Sequence, residues 1–281
     1  MILEHEIPQG GKVYFGKSAK LKREFENNIC KIFYNNGFEE ILTPAFSFLQ
    51  HQRDFSDRKI IRITSQNNQQ IALRCDSTID TIRIITKRLA RSTGAKKWFY
   101  IQPVFSYPSN EIHQIGAECL SIKEFDNLLT IGIECITQLQ IPSILQLSNI
   151  KIPMLCAKEL KIDIKNLLSE EINTLLQYEF LAKLIAIQTI DDLKHFIPQA
   201  PAFLKNELEK LLAIAQKCNH NNIIITTIQE APVNYYNDII FRIFINNSTL
   251  LLGGKYKITN EASCGFGIYT DNIIDILQNK E

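Results

Sequence analysis

The sequence predicts an α+β fold: a mostly antiparallel sheet flanked by helices and carrying one helical insertion. Three observations lead there. Apolar, strand-like runs cut by short turns recur over residues 98–120 and again over 222–269. Amphipathic helical patterns stand before, between and after these runs, the segregated arrangement of an α+β domain. Residues 151–218 read as helix, dividing the chain into a core of 1–150 and 219–281 and a helical insertion of 151–218.

With 281 residues, 45% of them apolar, the chain can bury a large core. Lys plus Arg number 31 against 30 Asp plus Glu, so no overall field favours nucleic acid or an anionic membrane. Seven cysteines without a CxxC pair fit a reducing compartment, as small buried hydrophobes rather than a disulfide frame or zinc ribbon. The first residues, MILEHEIPQGGK, carry charges where a signal peptide needs an apolar run, and no stretch reaches membrane-spanning length. A soluble, cytoplasmic protein without cofactor or metal is expected.

In order along the chain, residues 17–36 place Leu21, Phe25, Ile29, Ile32 and Phe33 at helical spacing, and Asn36-Gly37 forms the stop. GFEEILTPAF follows as a strand broken by Pro44, which suits an edge or a subunit boundary. Residues 45–58 give weak signals; 59–64 and 70–74 are strands joined by the polar loop SQNNQ. Residues 75–91 then read as a helix, with Asp76, Ser77 and Thr78 as cap candidates. On spacing alone, a cap is the commoner role for such residues than a ligand contact.

The stretch 98–120, WFYIQPVFSYPSNEIHQIGAECL, organises the rest. It reads as an apolar strand up to Pro103, a turn over 106–111 and a second strand. Alternation puts Ile112, Gln114, Gly116 and Glu118 on one face of that second strand. An amide, a backbone gap and a carboxylate would line a surface suited to a small ligand. His113, on the other face, reads as a packing or orienting residue. Residues 123–140 continue as helix and 143–147 as strand. The helical insertion, with breaks near Pro198 and Pro201, shows no chemistry. Strands return at 222–228, 238–245, 249–252 and 264–269, with a Gly253-Gly254 turn in between and a closing helix at 270–278.

This order of motifs resembles the class II aminoacyl-tRNA synthetases of the histidyl branch, and most closely their catalytically silent relatives, the regulatory subunits of ATP phosphoribosyltransferase. GFEEILTPAF resembles the first motif, which implies a dimer interface through Phe38, Ile41, Pro44 and Phe46. LRCDST resembles the LRPE-x-T segment, and YIQPVFSY followed by HQIGAE resembles the second motif. VNYYNDIIF resembles the histidine-pocket segment GLDYYTGIVF; LLGGKY and SCGFGIYTDNIIDIL resemble the GGRYD turn and the third motif. The likeness covers residues 8–281 apart from the helical middle.

Departures from the pattern bear on function. Ser106 stands where the synthetases carry the Arg that grips the α-phosphate, Asn272 where an Arg holds the far end of ATP, and Ala231 where an Arg opens the histidine segment. Pro108, Tyr269, Asn234 and Asp238 also depart, and the loop after Ser106 is short. A hydroxyl or amide cannot replace a bidentate guanidinium. With each such donor worth about 10²–10³ in rate, their joint loss implies no adenylation. Amino-acid recognition is better kept: Asp76, Thr78 and Gln114 match ammonium contacts, and Glu118 and Tyr236, with Tyr235 beside it, match the imidazole-binding segment.

The resemblance therefore implies a non-catalytic regulatory subunit. It would join the short catalytic subunit of ATP phosphoribosyltransferase in the first step of histidine biosynthesis, with histidine as effector and a homodimer of its own. No tRNA or membrane partner is expected, because charge is balanced and the chain ends shortly after the third motif, where the synthetases continue into an anticodon-binding domain. The alternatives are a stand-alone synthetase-like amino-acid ligase, which would need an ATP site, and a nucleic-acid-binding pseudo-synthetase, which would need a basic stripe.

Overall fold

The computed structural model describes residues 6–52, 60–64, 67, 69–169, 175–258 and 261–279. In chain order it contains α1 (Gly16–Asn35), β1 (Glu39–Glu40), β2 (Phe46–Phe48), β3 (Arg62–Thr64), β4 (Gln70–Leu73) and α2 (Ser77–Ile84). The long hairpin follows as β5 (Lys97–Ser106) and β6 (Asn110–Cys119), then α3 (Phe125–Thr137) and β7 (Ile144–Asn149). The helical stretch holds α4 (Lys151–Leu160), α5 (Ile164–Ser169), α6 (Glu179–Ile185), α7 (Ile190–Phe196) and α8 (Ala202–Ala215). The chain then forms β8 (Ile223–Thr226), β9 (Tyr236–Ile245), β10 (Ser248–Ile258), β11 (Glu261–Tyr269) and α9 (Thr270–Asn279). Two compact units result: one of residues up to 122, 233–235 and 257 onward, the other of 123–232 and 236–256.

In the first unit the strands run β1-β5-β6-β11, and a separate three-stranded sheet runs β2-β4-β3. The helical spacing read in α1 buries Phe25, Ile29 and Phe33. Leu21 and Ile32 lie half-buried at the margin of that stripe. The Phe33 ring packs 5.0 Å from Phe99 and 6.0 Å from Phe266, centroid to centroid. Gly37, at φ 76°, takes the left-handed conformation that ends the helix.

GFEEILTPAF does not form one continuous strand. Before Pro44 only Glu39 and Glu40 pair, in parallel, with Trp98 and Phe99 of β5 at the edge of the order, and Phe46 at its end belongs to the second sheet. The carbonyls of Thr43 and Pro44 instead accept from the Arg74 guanidinium at 2.8 and 2.9 Å. A side chain thus uses acceptors that a ladder would need, and the chain leaves for the second sheet. There Phe46–Phe48, unseen in the sequence, pairs antiparallel with β4. The β3–β4 pair is as expected, with Ile63 opposite Ile71. Lys59 and most of the SQNNQ loop lie outside the described residues.

The β5–β6 hairpin is longer than the sequence suggests. Pairing continues through Pro103 opposite His113 to Ser106 opposite Asn110, so the turn shrinks from the expected 106–111 to 107–109. β1 pairs only with Trp98 and Phe99, and at Pro103 β5 meets the Arg74 guanidinium rather than a paired strand, a setting that tolerates proline.

In the second unit the strands run β10-β9-β7-β8. β7 and β8 are parallel, Leu145 opposite Ile223. Parallel neighbours need a long crossover, and helices α4–α8 supply it. Leu167, Leu181, Leu184, Leu193, Leu204, Leu208 and Leu211 are fully buried beneath these helices. Residues 170–174, read as helix, lie outside the described residues.

The expected Gly253-Gly254 turn is instead strand interior, because β10 runs on to Ile258, with Gly253 opposite Phe241 and Gly254 opposite Ile240. A Cβ on Gly254 would come within 2.8 Å of the Ile239 carbonyl oxygen and 3.0 Å of the Tyr236 ring. Gly254 answers crowding, not turning. Gly254→Ala should lose about 1–3 kcal/mol of stability, read as a lower urea midpoint with an unchanged slope.

Candidate ligand site

Directly opposed residues of neighbouring antiparallel strands share a face. The register therefore sets Gln102, Tyr100 and Trp98 of β5 beside Gln114, Gly116 and Glu118 of β6. On the other side of β6 the partners are Tyr269, Gly267 and Gly265 of β11. Two bare Cα atoms on this face are filled by neighbours: the Tyr100 hydroxyl lies against Gly116, and the Glu118 carboxylate lies against Gly265, leaving no room for a Cβ at either.

Glu118 is fully buried. Burying a carboxylate requires donors, and α2 delivers one: Thr78 Oγ1 donates to Glu118 Oε1 at 2.7 Å. The Tyr100 hydroxyl donates to the same oxygen at 3.4 Å and lies 3.3 Å from Thr78 Oγ1. Asp76 is the N-cap of α2; its Oδ1 accepts from the Ile79 amide at 3.1 Å. Its other oxygen accepts from the Tyr235 hydroxyl at 3.3 Å. Asp76 is thus the cap the sequence offers, and its second oxygen joins the hydrogen bonds of the candidate site. The structure brings Asp76, Thr78, Glu118 and Tyr235 together, with Gln114 on the same β6 face. Tyr236 belongs to the second unit, where its ring packs 6.4 Å from Tyr256.

The neutral positions are placed as follows. Ser106 ends β5 opposite Asn110, whose amide donates to Ser106 Oγ at 3.4 Å. The turn beyond it is covered by the chain's own N-terminal segment: Glu111 N–H donates to the Gly10 carbonyl at 3.1 Å, and Ser109 Oγ to the Gln9 carbonyl at 2.5 Å. Asn272 lies half-buried in the first turn of α9. Ala231 lies half-buried in the loop before β9.

Tyr100 was not singled out in the sequence as a site residue; its signal was an aromatic two positions along the strand from Gln102. His113 has a partner the sequence did not show. Its backbone N–H donates to Asp271 Oδ2 at 2.9 Å and its Nδ1 lies 3.1 Å from Asp271 Oδ1. The Tyr14 hydroxyl donates to that same Oδ1. Burial alone would raise the Asp271 carboxyl, but the His113 and Tyr14 hydrogen bonds outweigh it and hold the carboxyl below the ordinary range. In the second unit Asp238, which departs from the synthetase pattern, is bound by Lys151 with Lys255 3.9 Å away.

The first-motif residues divide. Phe38 and Ile41 are 3% and 8% exposed, buried in the chain's own core and unable to offer surface to another copy. Pro44 is exposed, and Leu42, Phe46 and Phe48 are 73%, 57% and 47% exposed. A pocket of about 240 Å³ opens between Pro44, Phe46, Phe48 and Ile71 on one side and Asp80, Arg83 and Arg88 on the other. Among the described residues, the buried atoms Asp80 Oδ2 and Arg83 Nη1 have no hydrogen-bond partner. Among the described residues no group of three metal-ligating side chains occurs, and no helix is long and apolar enough to cross a membrane. Five cysteines are buried as expected, whereas Cys30 and Cys218 are only half-buried.

Comparison with known proteins gives a consistent picture. The family model for histidyl-tRNA synthetase matches residues 15–273. Over 278 residues the chain is 50% identical to the ATP phosphoribosyltransferase regulatory subunit of Helicobacter hepaticus, covering 99% of each. Over 283 residues it is 50% identical to the protein of that name from Wolinella succinogenes, covering 100% of this chain and 99% of that one. A solved structure described as an ATP phosphoribosyltransferase regulatory subunit/histidyl-tRNA synthetase, from Bacillus halodurans, shares the fold. Its TM-score is 0.80 at 13% identity, over 99% of this chain and 84% of that one.

The Asp271 carboxylate contributes stability in full above its unfolded pKa of about 4, and that contribution is lost as pH falls through the depressed folded value. Asp271→Asn should lower Tm at pH 7 by about 2–4 °C for each kcal/mol removed. The gap to the parent chain should narrow in parallel thermal melts as pH falls below about 4; a gap of constant size would contradict the assignment.

Proposed function

The chain belongs to the ATP phosphoribosyltransferase regulatory subunits, built on the histidyl-tRNA synthetase fold, and from that premise we propose how its site works. It acts with the short catalytic subunit of ATP phosphoribosyltransferase in the first step of histidine biosynthesis and contributes no chemistry of its own. Histidine is its effector, taken up by Asp76, Thr78, Gln114, Glu118 and Tyr235.

The observation that carries this reading is the contrast along one hairpin. At one end Glu118 keeps a buried, hydrogen-bonded carboxylate. At the other, Ser106 and a turn covered by the N-terminal segment stand where ATP would need a cation and open space. Amino-acid recognition survives without the means to activate the amino acid.

The site is also self-satisfied. Thr78 donates to Glu118, and Tyr235 to Asp76. An incoming ammonium or imidazole N–H exchanges these internal bonds for its own, and such exchanges leave a modest net gain. That suits an effector released when its concentration falls. Feedback follows if the arrangement with Thr78 and Tyr235 turned toward the ligand differs from the self-bonded one in its effect on the catalytic partner.

The exposed first-motif surface, Leu42, Pro44, Phe46 and Phe48, is the homodimer surface of this reading. Large apolar side chains grouped on the surface in this way mark an interaction site. The segment 151–218 serves as an insertion into the synthetase-like core.

Mixed with the catalytic subunit, this protein should co-purify, raise phosphoribosyl transfer and make it sensitive to histidine. Glu118→Ala should keep the complex and abolish calorimetric histidine binding. ATP–pyrophosphate exchange with histidine should stay at background, and clear exchange would overturn the non-catalytic reading. Phe46→Asp should shift the protein toward monomer in sedimentation, with the far-UV spectrum unchanged; a dimer that survives would move the interface elsewhere.

A further inference from the structure

Cys119 and Cys264 lie far apart in sequence, yet the sheet sets them face to face. Cys119 is the last residue of β6, Cys264 lies in β11, and the two are directly opposed in the antiparallel register. Such partners share a face, with Cα atoms about 4.5–5.5 Å apart. A disulfide needs about 4.4–6.8 Å, so the backbone already meets the requirement. Neither is disulfide-bonded, and they are 1% and 0% exposed. The Cys264 thiol donates to the Ser121 carbonyl at 3.4 Å.

We propose that Cys119 and Cys264 form a cross-strand dithiol that a low-molecular-weight disulfide oxidises to an intramolecular bond. In the first step one cysteine, as thiolate, attacks the small disulfide, forming a mixed disulfide and releasing one small thiolate. In the second the other cysteine attacks the protein sulfur of that mixed disulfide, closing the Cys119–Cys264 bond and releasing the second small thiolate. Two protein thiols are oxidised, one small disulfide is reduced to two thiols, and the two cysteine protons pass to the leaving thiolates.

Burial makes the reaction depend on opening, and the position allows it. The β6–β11 ladder is paired from Cys119 opposite Cys264 through to Gln114 opposite Tyr269, so the dithiol sits at one end of it. Ladder ends open at lower free energy than centres.

The next pair along is Glu118 opposite Gly265, where the carboxylate occupies the space a Cβ would take. A bond one residue away fixes the strand separation on which that fit depends. Oxidation therefore alters the freedom of Glu118 to leave Thr78 for a ligand, a consequence that rests on the histidine reading above.

The test treats the reduced full chain with oxidised glutathione in dilute, sub-denaturing urea, alkylates the remaining thiols and maps tryptic peptides by mass. A Cys119–Cys264 cross-linked pair is expected. It should be absent from Cys119→Ser and from Cys264→Ala, and retained in Cys30→Ser, which leaves both partners in place. Cross-links scattered among other cysteines, or none in protein of native spectrum, would overturn the pair. Calorimetry on oxidised and reduced protein should then show at least a threefold difference in histidine affinity. Equal affinities beside a formed bond would overturn the coupling. Absence of histidine binding in both forms would count against the effector reading alone, because the mass result does not depend on it.

Discussion

The burial of one guanidinium governs the first unit. Arg74 is 2% exposed, and its donors go to backbone carbonyls: Nη1 to Thr43 and Pro44, Nε and Nη2 to Pro103. Removing an ion from water costs several kcal/mol, so these carbonyls are held in place by the charge as much as they hold it. Burial pushes the Arg74 pKa down, but from a starting value so high that it stays charged at neutral pH. The backbone joins in: Arg74 N–H donates to the Ala45 carbonyl, and its own carbonyl accepts from Phe105, both at 2.8 Å. Three strands of chain meet at one side chain. Two residues later Asp76 starts α2, so the placement of Thr78 above Glu118 follows from where Arg74 is pinned.

The site is then a matter of fit between small and large residues. Gly116 and Gly265 leave room that Tyr100 and Glu118 take up. The same carboxylate that would recognise an imidazole is therefore part of how β6 sits against β11. In the proposed reading recognition and scaffold share atoms, so packing alone is a reason to keep Glu118. Ser106 is bonded by Asn110 across the turn, and Ser109 and Glu111 donate to the N-terminal segment, at the opposite end of the hairpin from Glu118.

Much of this was legible in the sequence because the signals are local. The α1 stripe of Phe25, Ile29 and Phe33 needs only a 3.6-residue period, and the Gln114–Gly116–Glu118 face only a two-residue one. What the sequence did not show depends on partners far along the chain. Pro103 looked like a strand end because its tolerance depends on where β1 stops. Gly253-Gly254 looked like a turn because the crowding comes from Ile239 and Tyr236. Phe38 and Ile41 carry the same apolar signal as Phe46, and only packing shows which of them face the core. The Cys119–Cys264 opposition required the register of two strands separated by most of the chain. The Asp271 partner of His113 lies equally far away.

The parallel pairing of β7 with β8 also has a kinetic side. Leu145 meets Ile223 only after α4–α8 have brought the chain back, whereas β9 and β10 are joined by the two residues Asn246 and Asn247. Non-local pairs pay their loop entropy before any contact rewards it, and they form late. By the same rule β7 pairs late on both sides, Leu145 with Ile223 and Ile144 with Phe244, while the β9–β10 hairpin is local. During synthesis β7 waits on the emerging chain while the leucine-lined helices and β8 follow, and its other edge can be covered only once β9 has emerged.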